Sequence, residues 1–322
     1  MKPKVYVTRH LPDKAYQNLA AACEIEIWDK EFPPPYEIIR EKVADKQGLL
    51  SLLTDRIDAE LLDAAPGLKV VSQCAVGYDN IDVKAATDRG IAVGNTPEVL
   101  TDATADFAFA MLMAAARRVV EAVDYVRSGK WETWGLTSFL GSEVYGATLG
   151  IIGFGRIGQA LAKRAKGFNM RISYHDIDHM LEAENELNAV YCSLDCLLEE
   201  ADFVSLHVNL TSETEGMIGR RAFRLMKDTA VLINTSRGSI VDMEALYQAL
   251  LKGQIAAAAL DVTDPEPLPP NHKLLTLPNL IVTPHIASAT VTSRTQMAMM
   301  AVRNLIAGVR GRPLPTQVNK LP

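Results

Sequence analysis

The chain has 322 residues, with 33 Lys and Arg against 39 Asp and Glu for a formal net charge of −6, so it lacks the basic excess that nucleic-acid binding draws on. Hydrophobic residues make up 48% and charged residues 22%, which excludes the apolar poverty of a disordered chain and predicts an ordinary buried core. The length predicts two domains.

From its start the chain enters a strand-like alternation, KVYVT at 4–8, without the apolar core and cleavage site of a secretory leader; the expected location is the cytoplasm. EIEIW (24–28), GLLSLL (48–53), LKVVSQ (68–73) and IAVGN (91–95) read as further strands, and AYQNLAAA and AELLDAA between them carry helical spacing. Thr101 or Asp102 then caps a long helix through ATADFAFAMLMAAARRVV, apolar nearly all round and therefore expected to be buried between domains or subunits. Its longest apolar run, Phe107 to Ala116, is about half of what a membrane-spanning helix needs, so no membrane partner is expected. After an aromatic-rich loop, WETWGLTSFLGSEVYG, a second array begins near 147 with ATLGIIGFG, MRISYHD, AVYCS, FVSLHV, AVLINT, AAAALDV and LIVTPH as strands. A last amphipathic helix, about Thr292 to Val309, is expected to return to the first domain. Strict alternation predicts an α/β protein of doubly wound parallel sheets with helices on both faces. Cys23, Cys74, Cys192 and Cys196 have neither the number for a disulfide framework nor zinc-finger spacing, and are expected to be packed thiols.

The strongest local signal is Gly153-Phe154-Gly155-Arg156-Ile157-Gly158, placed between the apolar strand LGII and the helical QALAKRAKGF. The first glycine permits a tight turn, the second a close approach to a pyrophosphate, and the third close helix–strand packing, while the helix N-terminus supplies amide donors. The next strand ends in His175-Asp176, with Asp176 18 residues beyond Gly158, where dinucleotide folds place an acid on the adenine ribose. A carboxylate there accepts from both ribose hydroxyls and repels a 2′-phosphate, so NAD(H) is favoured while NADP(H) stays possible. A metal cluster of His175, Asp176, Asp178 and His179 is the rival reading and is set aside, because the coenzyme already accounts for the spot; no metal is expected.

Three residues stand at carboxyl ends of apolar strands: Arg237 in INTSRGSIVD, Glu266 in LDVTDPEP and His285 in LIVTPHIASAT. That edge of an open α/β sheet is where ligands bind. A guanidinium grips carboxylate and carbonyl oxygens, an imidazolium delivers a proton, and a carboxylate keeps the imidazole oriented and charged, which together suit reduction of a small anionic 2-oxo acid.

GFGRIG, NTSRG, DPEP and PHIASAT, joined to VGYDNID and NTPEVLTDATADFAFAMLMAAARR, resemble the D-isomer-specific 2-hydroxyacid dehydrogenases over nearly the whole chain, and KRAKGFNM, LGSEVYG and PTQVNK are most similar to the glyoxylate/hydroxypyruvate reductases among them. The resemblance implies a substrate domain of 1–100 plus 287–322, a Rossmann coenzyme domain of 101–286, an active-site cleft between these two Rossmann-like or flavodoxin-like domains, and a homodimer. It assigns Arg237, Glu266 and His285 as the catalytic set and the backbone of Ala75, Val76 and Gly77 as the carboxylate site. It also places Thr104 on the coenzyme phosphates or nicotinamide, Phe154 to Ile157 on the pyrophosphate, His207 and Val208 on the adenine side, Thr235 and Ser236 on the nicotinamide ribose, Asp261 on the carboxamide, and Ala287 beside it. Several positions depart from these reductases. Asp176-Ile177-Asp178 stands where many read Ser/Arg-Arg-Thr, Asn209 replaces a usual proline, and Ala287 a usual glycine. Ser138 replaces a common Trp of the loop expected to reach the partner's pocket, leaving Phe139 as the nearest aromatic. A phosphite or 3-phosphoglycerate dehydrogenase, or a non-catalytic NAD-sensing corepressor, shares the same scaffold and is the alternative reading.

Overall fold

The first five runs become strands because each is short and rich in β-forming residues, and the inner ones are covered on both faces as parallel strands require, whereas the edge run EIEI alternates Glu with Ile and buries no residue. In the computed structural model, which describes residues 2–321, they are β1 (Lys4–Val7), β2 (Glu24–Ile27), β3 (Gly48–Ser51), β4 (Val70–Gln73) and β5 (Ala92–Gly94). They form one all-parallel sheet in the order β2-β1-β3-β4-β5. Alternate residues point to opposite faces. Tyr6, Leu49, Val71 and Val93 pack under Ile39, Val43, Leu61 and Ala86 of three helices on one side, while Val5, Val7, Leu50 and Val70 meet Leu19, Val302 and Leu305 on the other.

Those last two residues belong to the helix Val291–Val309, capped by Thr290 through the Ser293 amide. Chain contacts therefore divide the protein into one unit that runs to Leu100 and resumes at Ala289, and a second spanning Thr101–Ser288. Buried Asn304 fixes the returning segment: its Nδ2 donates to the Asn95 carbonyl at 3.0 Å and to Thr316 Oγ1 at 2.8 Å, and its Oδ1 accepts the Thr316 amide at 3.1 Å. The tail then runs antiparallel along the outer edge of β5, where the Val318 amide donates to Val93 at 2.7 Å, so that edge has a partner.

The second unit holds β6 (Thr148–Ile152), β7 (Arg171–His175), β8 (Ala189–Tyr191), β9 (Phe203–Leu206), β10 (Val231–Asn234), β11 (Ala257–Leu260) and β12 (Leu280–Val282). Their all-parallel order is β12-β11-β10-β9-β6-β7-β8. Strand order reverses between β6 and β9, so the loops leaving these neighbours diverge and open a crevice at their carboxyl ends. In both units the strands are shorter than the apolar runs, and the trailing residues form the loops at that edge.

The long central helix differs from expectation. It ends at Ala116, Arg118 takes a left-handed conformation (φ 51°), and a new helix Val119–Arg127 begins. Within its own unit, Ala105, Ala108, Met111, Leu112 and Ala115 of the first helix pack into the core with Leu149, Ile151, Phe154 and Leu161. Small side chains let it lie close to its own sheet and to the helix Arg156–Lys166. The helix Val119–Arg127 buries no residue and leaves Val119, Val120, Val123 and Val126 exposed. No helix among the described residues is long and apolar enough to cross a membrane.

Candidate active site

The turn after β6 is built around Gly153, whose φ is 92° and whose Cβ would lie 2.6 Å from the His207 carbonyl carbon, so a side chain is excluded by conformation and by space. Phe154 is buried and stacks on Tyr174 at 4.1 Å between ring centroids, anchoring the loop to the core. Its amide donates to Asp176 Oδ2 at 2.6 Å, and the Ile177 amide donates to Asp176 Oδ1 at 2.7 Å. Each carboxylate oxygen retains a second lone pair for a ligand hydroxyl. The helix Arg156–Lys166 follows with Gly155 at its N-cap and no side-chain cap, and a Cβ at Gly155 would meet nothing within 4 Å. Open space over uncapped amides, next to an acid on the neighbouring strand, fits a dinucleotide pyrophosphate and ribose. Thr235, at the end of β10, adds a buried hydroxyl that has no hydrogen-bond partner among the described residues. Ser236 Oγ donates to the Val208 carbonyl, tying the β9 and β10 loops together, and Thr104 sits buried in the first turns of the helix Thr101–Ala116.

At the other side of the crevice, His285 Nδ1 and Glu266 Oε1 are 2.6 Å apart, with their side chains 23% and 32% exposed and thus open to a solute. His285 holds φ at 55°, in the left-handed region that costs a non-glycine residue about 1–2 kcal/mol. Asp261, 1% exposed, holds it there. Asp261 Oδ1 accepts the Ile286 amide at 2.8 Å and Thr283 Oγ1 at 2.6 Å, Oδ2 accepts the Ala287 amide at 2.7 Å, and its carbonyl accepts the His285 amide at 2.9 Å. Arg237 follows β10, its carbonyl bound by Asn234 Nδ2 at 2.8 Å. Gly238 next to it lies so close to the Thr263 carbonyl that a Cβ would collide with it, which draws the Arg237 loop against the loop that carries Glu266. The Glu266–His285 pair is thereby direct, and Arg237 stands on the same sheet edge.

The family model described as "D-isomer specific 2-hydroxyacid dehydrogenase, NAD binding domain" matches residues 109–287. A glyoxylate reductase of Korarchaeum cryptofilum is 56% identical over 321 residues, 99% of this chain and 97% of that protein. The chain belongs to the D-isomer-specific 2-hydroxyacid dehydrogenases. Among solved structures, a Thermus thermophilus protein superposes with a TM-score of 0.92 at 48% identity, covering 98% of this chain and 100% of that one. An NADPH-dependent glyoxylate/hydroxypyruvate reductase of Sinorhizobium meliloti, in complex with NADP and malonate, superposes with a TM-score of 0.87 at 32% identity, covering 99% and 97%.

The remaining expected site residues of this dehydrogenase lie on other elements. Ala75, Val76 and Gly77 form the loop after β4 in the first unit, Ala75 buried and the other two half-buried. Ser138 is exposed, and Phe139 packs edge-on to Tyr125 at 5.0 Å beneath the Arg118 guanidinium. Phe139 thus lines a groove of about 930 Å³ with Tyr125, Leu140 and Leu280, away from His285. Among the described residues no group of three or more His, Cys, Asp or Glu is placed to hold a metal ion, and all four cysteines are free thiols. Sequence reasoning missed Thr283 and Asn234 as supports of the site; the available signal was a polar residue at the end of an otherwise apolar strand run.

His207 carries a second consequence of enclosure. Its Nε2 lies 2.8 Å from Ser205 Oγ, and burial pushes the ring's pKa down to about 4 from an ordinary 6.5. The unfolded chain therefore takes up a proton at this position between pH 6.5 and 4 that the folded chain refuses, so stability falls on acidification through that window. Replacing His207 with Gln is expected to flatten this dependence, measured as the denaturation midpoint at about pH 7 and about pH 5; an equally steep fall in the variant would place the proton uptake elsewhere.

Proposed function

We propose that this dehydrogenase reduces glyoxylate, and hydroxypyruvate as a second substrate, to the D-2-hydroxy acid. The observation that carries the reading is the 2.6 Å Glu266–His285 pair on the sheet edge that also carries the glycine turn, and the names of the relatives support the choice of acid. When bound, the nicotinamide coenzyme supplies a hydride to the carbonyl carbon. Backbone amides of the Ala75–Gly77 loop hold the substrate carboxylate, and Arg237 holds and polarises the carbonyl oxygen. With Nδ1 held by Glu266, His285 presents Nε2 as the acid that protonates the developing alkoxide. The Glu266 carboxylate keeps the ring oriented through its contact with Nδ1.

Coenzyme choice follows from Asp176. It accepts hydrogen bonds from ribose hydroxyls but meets a 2′-phosphate charge to charge, and neither Ile177 nor Asp178 offers a cation. NADH is the favoured coenzyme. Two copies of the chain form the working molecule, because Val119, Val120, Val123 and Val126 are 40% to 50% exposed along one short helix, and Trp131 and Trp134, which follow it in the chain, are exposed as well.

The first test is the initial rate with glyoxylate and either NADH or NADPH, where the expected result is turnover at least tenfold more efficient with NADH; an NADPH preference refutes the role of Asp176, and no turnover with glyoxylate or hydroxypyruvate refutes the reaction. Glu266→Gln is expected to lower kcat roughly tenfold or more while the coenzyme KM stays unchanged, and an unchanged kcat removes Glu266 from the proton relay. Light scattering is expected to give twice the 35.2 kDa chain mass, with Val126→Glu returning it to a single chain; a monomeric wild type would refute the dimer.

A further inference from the structure

The carboxylate loop is held from behind by its carbonyls. Ala75 O accepts the Thr96 amide at 2.9 Å, Val76 O accepts Asn95 Nδ2 at 2.8 Å, and Gly77 O accepts Gln73 Nε2 at 3.4 Å. Among the described residues, no acceptor is recorded for the amides of Ala75, Val76, Gly77 or Tyr78. In a trans peptide the N–H points opposite to the C=O, so pinning the Ala75 and Val76 carbonyls toward the end of β5 turns the Val76 and Gly77 amides away from it. Two successive amides facing one way, with carbonyls removed from that side, form a concavity of positive partial charge suited to a carboxylate.

Asn95 is the member of this set that reaches the middle of the loop. Its own backbone is clamped by the returning segment: its amide donates to Thr316 O at 3.2 Å, and its carbonyl accepts Asn304 Nδ2 at 3.0 Å and Thr316 Oγ1 at 2.7 Å. The side-chain amide is thus presented from a fixed point. Gln73 is equally fixed, fully buried with Oε1 accepting Ser51 Oγ at 2.8 Å and Nε2 donating to Asn80 Oδ1 at 2.8 Å.

We propose that Asn95 is a positioning residue for substrate recognition, setting the Val76–Gly77 amides toward the substrate carboxylate through its hydrogen bond to the Val76 carbonyl. The inference rests on the reading of this chain as a 2-oxo acid reductase for the identity of the anion. It predicts that specificity for an acid over an uncharged aldehyde depends on a side chain that does not itself touch the substrate.

The test is Asn95→Asp, which keeps shape but replaces the donor with an acceptor facing the Val76 carbonyl, with Asn95→Ser as a smaller variant that retains a hydroxyl donor. For Asn95→Asp, KM for glyoxylate and the dissociation constant of oxalate, measured by titration into the coenzyme-saturated protein, are both expected to rise at least tenfold. The values of kcat, the coenzyme KM and the thermal midpoint stay within twofold or within two degrees, and Asn95→Ser falls between wild type and Asp. Unchanged KM and oxalate affinity overturn the proposal, as does a fall in kcat and thermal midpoint with KM unchanged. If Asn95→Asp does not fold, Asn95→Ser with wild-type oxalate affinity overturns it. Oxalate binding needs no turnover, so a wild type that binds oxalate but does not reduce glyoxylate refutes the reaction while leaving the role of Asn95 decided by the variants.

Discussion

The geometry around His285 in the second unit depends on one buried carboxylate. Asp261 receives two amides and a hydroxyl from the segment that follows β12, and these bonds offset the cost of holding His285 in a left-handed backbone conformation. An extended backbone at His285 would direct its ring elsewhere, and the 2.6 Å contact with Glu266 would have no geometric basis. Because Asp261 sits directly at the end of β11, the orientation of the imidazole is referred to the sheet itself rather than to a mobile loop. The carboxamide role expected for Asp261 thus shares the residue with a structural task that occupies both of its oxygens.

Much of this arrangement was legible in the residues. The glycine turn, Asp176, Arg237, Glu266 and His285 all follow apolar strand runs, and a parallel sheet places every such strand end on one edge. Alternation of strands and helices was equally plain, since the apolar runs are short and β-branched while the segments between them carry helical spacing. The break at Arg118 was not legible, because Arg117 and Arg118 are both good helix formers and nothing in composition marks a left-handed residue there. The neighbours of the Thr101–Ala116 helix were not legible for a related reason: a helix apolar on nearly every side carries no sign of which elements it meets, and the packing of Ala105, Ala108 and Ala115 against their own unit's core is visible only in the fold. Hydrogen bonds such as that from Asn95 to Val76 join positions 19 apart in sequence, and no local pattern announces them.

The two units solve the same problem in complementary ways. Loops at the carboxyl ends of strands must expose polar backbone to a ligand, yet a loop free to turn inward would satisfy those groups on itself. In the second unit Asp261 binds amides and leaves a side chain, His285, aimed outward. In the first, Asn95, Gln73 and the Thr96 amide bind carbonyls and leave amides aimed outward. Which backbone group is sequestered decides which polarity the loop presents.

The route of the chain also imposes a timetable on synthesis. Ser72 Oγ bonds the Ala301 carbonyl across 229 positions, and the sheet face formed by Val5, Leu50 and Val70 has the helix Val291–Val309 as its cover. On a ribosome adding about 5–20 residues per second, the intervening unit takes roughly ten to forty seconds to emerge. Throughout that interval the first sheet lacks its last helix and the partner for the β5 edge. The second unit is contiguous, so all of its strands have left the ribosome before the first unit receives its closing piece. The order in which the halves mature is therefore the reverse of the order in which they begin.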